Sequence, residues 1–166
     1  MSKQKSFSLI ELTVVIFIIG ILATLISVAV VGHQRSARDA QRKSDLNTLS
    51  MALEMNYERN QTYQVKNSSG ADMIPVIAGR YLSGVSNRLT ELGYLSSSPK
   101  DPQVTTAGTG NDYYVKFSAS GEKSGICLFA KLEIPSDDDT AKFNQFKVAT
   151  ICNYTDSTYN YIVGHK

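Results

Sequence analysis

Few side chains in this 166-residue chain are of types that do chemistry. Cys127 and Cys152 are its two cysteines, His33 and His165 its two histidines, and Asp137, Asp138 and Asp139 stand in one acidic run. A nucleophile needs a base placed beside it, and no GxSxG, HExxH, phosphate-binding loop or paired-carboxylate spacing supplies one. The expectation is a protein that is not an enzyme and carries no cofactor. The three aspartates could offer oxygens to calcium, a hard ion that wants several. They lack the spacing of a calcium loop and no glycine breaks them, so a solvated turn and no metal is expected. The cysteines form no CxxC and no metal-ligand cluster. They are either a disulfide closing a loop of about 26 residues, worth roughly 3.5 kcal/mol in the chain-entropy description, or two buried thiols. Export to an oxidising compartment would favour the bond.

The most informative titratable group is Glu11. It stands in the stretch KSFSLIELTVVIFIIGILATL, and no charge follows it from Leu12 to Gly32. An ionised carboxylate at membrane depth costs about 2.5–3.5 kcal/mol on insertion scales. Leu12 to Val31 would make a helix about 30 Å long, enough to span a hydrocarbon core and longer than the apolar part of a secretory signal. A single transmembrane helix is therefore expected. Arg35, Arg38, Arg42 and Lys43 beyond the run outnumber Lys3 and Lys5 before it, a count that favours a cytoplasmic C-terminus, whereas a disulfide would favour an exported one.

The elements that must position these groups follow from periodicity. Arg35 to Asn60 contains no Gly or Pro, and Leu46, Leu49, Leu53 and Tyr57 recur at helical spacing. The spacing predicts one helix from about Phe7 to Asn60, apolar all round in its first half and amphipathic in its second, with Arg35, Arg38, Arg42 and Lys43 on a solvated or subunit-facing side. A short helical or irregular region is expected over 80–92, and GYLSSSPKDP (93–102) reads as a loop. Period-two alternation then predicts antiparallel strands at 113–118, at 126–134 with Cys127, near 147–154 with Cys152, and near 158–163. PSDDDTAKFNQF reads as a connection. The expected fold class is α+β, with the small antiparallel sheet packed by one face on Leu46, Leu49 and Leu53.

The N-terminus resembles the signal of type IV pilins and type II secretion pseudopilins. The resemblance rests on the basic leader MSKQKS, Phe7, the run Ser8-Leu9-Ile10-Glu11-Leu12 and a long apolar helix containing Gly20. GYLSSSPKDP before an aromatic strand is similar to the segment entering the sheet of major pseudopilins and related pilins. The chain departs from the pattern at Ser6, where glycine is usual, and at Val28, where many pilins have proline.

The resemblance implies a leader at 1–6, a transmembrane and filament-core helix at 7–32, an amphipathic half at 33–60 and a head at 61–166. It implies cleavage by a prepilin peptidase between Ser6 and Phe7, methylation of Phe7, and pairing of Glu11 with the Phe7 amine of a neighbouring subunit. The implied partners are membrane lipid before assembly, the inner-membrane pilus or secretion machinery, and identical subunits in a helical filament. The implied location is the inner membrane, then an extracellular or periplasmic filament. A type IV pilus subunit for adhesion, motility or DNA uptake ranks first, a type II secretion pseudopilin second and a non-polymerising membrane-anchored binding module third. DNA contact has no support from an aromatic and basic surface. With 17 basic and 15 acidic residues the chain has no strong global field, and loss of Lys3 and Lys5 with the leader would leave 15 of each.

Overall fold

The computed structural model of the chain describes residues 8–75, 79–104, 112–118, 121–146, 152–155 and 157–165. The elements in order are α1 (Leu9–Asn60), β1 (Arg80–Tyr81), α2 (Leu82–Glu91), β2 (Tyr114–Ser118), β3 (Gly121–Ala130), α3 (Asp137–Phe146) and β4 (Tyr161–His165). Ser8 caps the start of the 52-residue α1. The helix ends where Gln61 turns into the left-handed region at φ 56°, its N–H donating to the Tyr57 carbonyl at 2.7 Å. The chain divides into two compact units, Met1–Ala37 and Arg38–Lys166.

In the first unit the apolar side chains from Leu9 to Leu22 are exposed, 83% for Leu9 and 69% for Phe17. Among the described residues no helix is long and apolar enough to cross a membrane. The expected span at 7–32 includes Phe7 and the side chains of 25–29, which lie outside those residues.

The second unit is built on an antiparallel sheet of order β1-β2-β3-β4. Leu46, Leu49 and Leu53 are fully buried and form one core with Val85 and Leu89 of α2 and with Val115, Phe117, Ile126 and Leu128 of the sheet. The expected stripe is therefore correct, Tyr57 lying partly buried at its end. The opposite face of the sheet is also covered. Cys127, Phe129 and Ile162 form a second core with Phe143 of α3, Cys152, Tyr154 and Tyr159. ICLFA (126–130) is apolar at every position because both faces of β3 are buried, a pattern that a one-faced meander does not explain.

Four expectations are corrected. PSDDDTAKFNQF is not an irregular connection: Asp137–Phe146 is α3, started by a reciprocal cap in which the Ser136 N–H donates to Asp139 Oδ2 at 3.0 Å and the Asp139 N–H to Ser136 Oγ at 3.1 Å. The strand expected near 147–154 is not seen where it can be followed. Residues 152–155 are turn and irregular chain, and 147–151 lie outside the described residues. β3 stops at Ala130, so Ile134, expected on its apolar face, is 54% exposed. The first two residues of the helical region at 80–92 instead pair with β2, Arg80 opposite Val115 and Tyr81 opposite Tyr114.

Cys127 and Cys152 form a disulfide across 25 residues, both ends fully buried. It ties the turn after α3 to the centre of β3. Converting both cysteines to alanine should lower the stability of the detergent-solubilised chain by about 3–4 kcal/mol, read as an earlier urea midpoint by tyrosine fluorescence; an unchanged midpoint would refute a stabilising role.

Candidate functional site

Two groups of polar side chains carry the geometry that function could use. The first is at the start of α1. Ser8 and Glu11 stand three apart, the spacing of a capping box, and Glu11 Oε2 accepts the Ser8 backbone N–H at 3.0 Å. The carboxylate thus satisfies one of the helix's orphan donors and lies at the positive end of its dipole. SLIE carried this signal in the sequence, where the apolar context alone was considered. Ser6 and Phe7, the expected cleavage and methylation positions, and the Phe7 partner of Glu11 lie outside the described residues.

The second group centres on Arg42, whose side chain is 1% exposed. The buried stripe of α1 continues toward the N-terminus in charged residues at the same spacing: Asp39, Arg42, Leu46, Leu49, Leu53. All five N–H groups of the guanidinium are used. Nε donates to Asp101 Oδ2 at 2.6 Å and Nη2 to Asp101 Oδ1 at 3.1 Å, a bidentate fork. Nη2 also reaches Gln103 Oε1 at 2.9 Å, while Nη1 reaches Asp39 Oδ1 at 2.8 Å and Glu133 Oε1 at 3.2 Å. Asp39 in turn accepts the backbone N–H groups of Glu133 at 2.9 Å and Ile134 at 2.8 Å. Arg38 makes its own fork with Glu133, at 2.6 and 2.8 Å.

Burial alone would lower the pKa of Arg42, but the hydrogen bonds it donates to Asp101 and Asp39 outweigh it and raise it. The Arg38 hydrogen bond holds Glu133 down at about 2. Next to Arg42, the Lys43 ammonium lies 2.6 Å from Asp139 Oδ2 and 5.3 Å from the centre of the Tyr161 ring. The Tyr113 hydroxyl donates to Asp45 Oδ2 at 2.6 Å. Burial raises the Asp45 pKa against the lowering effect of that bond.

Residues 38–45 of α1 therefore grip the head at four places: the loop after β3, the first turn of α3, the loop carrying Asp101, and Tyr113 just before β2. The expected solvated or subunit-facing cationic side is corrected for three of its four residues, since Arg38, Arg42 and Lys43 are spent on pairs within the head, while Arg35 is exposed. Asp139 is likewise paired, Asp137 and Asp138 are exposed, and no group of three or more His, Cys, Asp or Glu among the described residues could hold a metal ion. His33 is exposed.

A helix that begins in exposed apolar residues and continues into a small α+β head is the architecture that the prepilin-type resemblance implies. Residues 1–31 match the prokaryotic N-terminal methylation motif. The type II secretion system core protein G of Escherichia coli K12 is 33% identical over 116 residues, covering 67% of this chain and 70% of the relative. That of Aeromonas hydrophila is 30% identical over 148 residues, 86% of this chain and 94% of the relative, and that of Vibrio cholerae 29% over 129 residues, 78% and 80%. No solved structure gives a significant match. The chain belongs to the family of type IV pilins and type II secretion pseudopilins.

Arg42→Met should destabilise the head by about 3–5 kcal/mol, because Asp39 and Asp101 would be left buried without their cation. Arg42→Lys should recover only part, since an ammonium cannot make the fork; equal midpoints for Arg42→Lys and the native chain would refute the geometry. The pH dependence has a definite sign. The folded-state pKa of Glu133 lies below its ordinary value of 4.5, so its contribution is present above about 4.5 and lost as the pH falls toward 2. A urea midpoint that falls across this window in the native chain and less steeply in Glu133→Gln would bear this out.

Proposed function

We propose that this chain is a non-enzymatic structural subunit of a type II secretion pseudopilus, processed before Phe7 by a prepilin peptidase and polymerised from the inner membrane into a periplasmic filament. The observation that supports it best is the reach of the similarity to core protein G. It covers 94% of the Aeromonas hydrophila relative, head included, whereas the N-terminal motif alone spans residues 1–31. The type IV pilus reading, ranked first from the sequence, falls to second place. The Cys127–Cys152 disulfide is equally at home in either kind of exported head.

The physical logic of Glu11 rests on magnitudes. A carboxylate drawn to hydrocarbon depth costs up to about 2.5–3.5 kcal/mol, and a cap at the helix N-terminus returns only about 0.3–1 kcal/mol, up to roughly 2 in a sheltered geometry. The Ser8 N–H therefore leaves a deficit. Cleavage before Phe7 creates an α-ammonium, and methylation leaves it charged. The Phe7 ammonium of a neighbouring subunit supplies the missing countercharge once both leave lipid for the filament core. The exposed apolar residues from Leu9 to Leu22 exchange lipid for one another in the same step.

Intact-mass measurement of protein from cells should give a chain starting at Phe7 with one added methyl. Glu11→Gln should still enter the membrane and be cleaved, yet give at least tenfold fewer filaments; abundant filaments from this variant would reject the pairing.

A further inference from the structure

The second unit carries a polar crevice of about 360 Å³ where the C-terminal ends of α1 and α2 come together. Its buried amides, Asn56 and Gln64, are committed to the backbone. Asn56 Nδ2 donates to the carbonyls of Thr62 at 3.0 Å and Gln64 at 3.1 Å, while the Gln64 amide exchanges two bonds with Ile74 at 2.8 and 2.9 Å. The cations lining the crevice are Lys66 and Arg88. Arg88 is held in place, Nε donating to the Lys66 carbonyl at 3.0 Å and Nη1 to Glu91 Oε2 at 2.7 Å, which leaves Nη2 without a partner among the described residues. The Lys66 ammonium is exposed and also lacks a partner among the described residues. A rigid polar floor with two donor cations above it is suited to a carboxylate.

The same unit presents carboxylates with no partner at its other end. Asp139 is bound to Lys43, but Asp137 and Asp138 beside it are exposed and have no hydrogen-bond or ion-pair partner among the described residues. The pairing of Asp139 sets these two at the level of Lys43 on α1, whereas the crevice lies at the level of Asn56 and Asn60. Thirteen to seventeen residues of helix separate the levels, about 20–25 Å along its axis. Other acids near the crevice, Glu58, Glu91 and Asp72, which stands opposite Lys66 in an isolated antiparallel bridge, lie at its own end and cannot bridge that distance within a chain.

We propose that the Lys66–Arg88 crevice receives Asp137 and Asp138 of a second copy of this chain, displaced along the helix axis. The contact joins two different patches at opposite levels of one head. It is heterologous and does not close on itself, as an open filament requires. It rests on the filament reading above and adds to it an interface between heads, separate from the Glu11 contact between helix starts.

The test is a charge exchange in the full chain, made in cells that assemble filaments. Lys66→Glu and Asp138→Lys should each reduce sheared filament at least fivefold while subunit level and urea midpoint stay native, and the combined variant should recover at least half. Co-expressing Lys66→Cys with Asp138→Cys should give disulfide-linked dimers that neither gives alone. Native filament yield from Lys66→Glu, or no recovery in the combined variant, would overturn the head contact and leave the pseudopilin reading standing. A native chain that forms no filaments at all would overturn both.

Discussion

Arg42 sets the terms for the rest of the second unit. A guanidinium taken fully out of water costs several kcal/mol unless every donor finds an acceptor in good geometry, and all five do. Such a group does little for net stability compared with a well-packed apolar side chain, but it is intolerant of misplacement. A shift of one helical turn would leave Arg42 facing Leu46's surroundings and Asp101 facing none. The charged residues therefore fix where along α1 the head is attached, and the apolar stripe that follows them supplies the burial. Leu46, Leu49 and Leu53 alone could slide, since one leucine hole resembles the next.

The second face of the sheet is held by a different means. Phe129 and Tyr154 lie with ring centres 4.5 Å apart, and Tyr114 and Tyr159 stack at 5.7 Å. The Cys127–Cys152 bond enters this aromatic layer from the side of α3. Gly164 allows the approach of α3 to β4, since a Cβ there would lie 3.1 Å from the Phe146 ring. The head thus has a sheet closed on both sides, and the ionic grip of α1 reaches past its own face to the first turn of α3 through Lys43 and Asp139.

How much of this could be read beforehand depended on sequence separation. The apolar stripe, the long helix and the β2–β3 pair are local patterns, and they were legible. The grip was not, because Arg42 and Asp101 are 59 residues apart and Arg38 and Glu133 are 95 apart. A charged residue on a helix is by default assigned to solvent. One local clue was present: Asp39 and Arg42 keep the three-and-four spacing of the leucines, which places them on the buried side. α3 was hidden by its composition, since three aspartates suggest a turn, although Ser136 and Asp139 stand at capping distance and acids are favoured in a first turn. Of the N-terminal site, Glu11 was found by its charge, but its cap to Ser8 needed the spacing rather than the apolar context.

Glu11 and Arg42 face the same problem and resolve it differently. Each is an ion where the surroundings are apolar. Arg42 is answered within the chain by three carboxylates and an amide, so its burial is complete once the head folds and no further partner is wanted. Glu11 is answered within the chain by a backbone N–H and a helix dipole only, which together fall short of the cost of an unpaired carboxylate in lipid. Under the proposed pseudopilin function, a residual deficit of this kind would favour passage from a stored monomer to a polymer. Were Glu11 fully paired inside its own chain, as Arg42 is, nothing electrostatic would favour leaving the membrane. The ionic group that fixes the head on α1 is thus the satisfied one, and the group we propose for assembly is the one left partly unsatisfied.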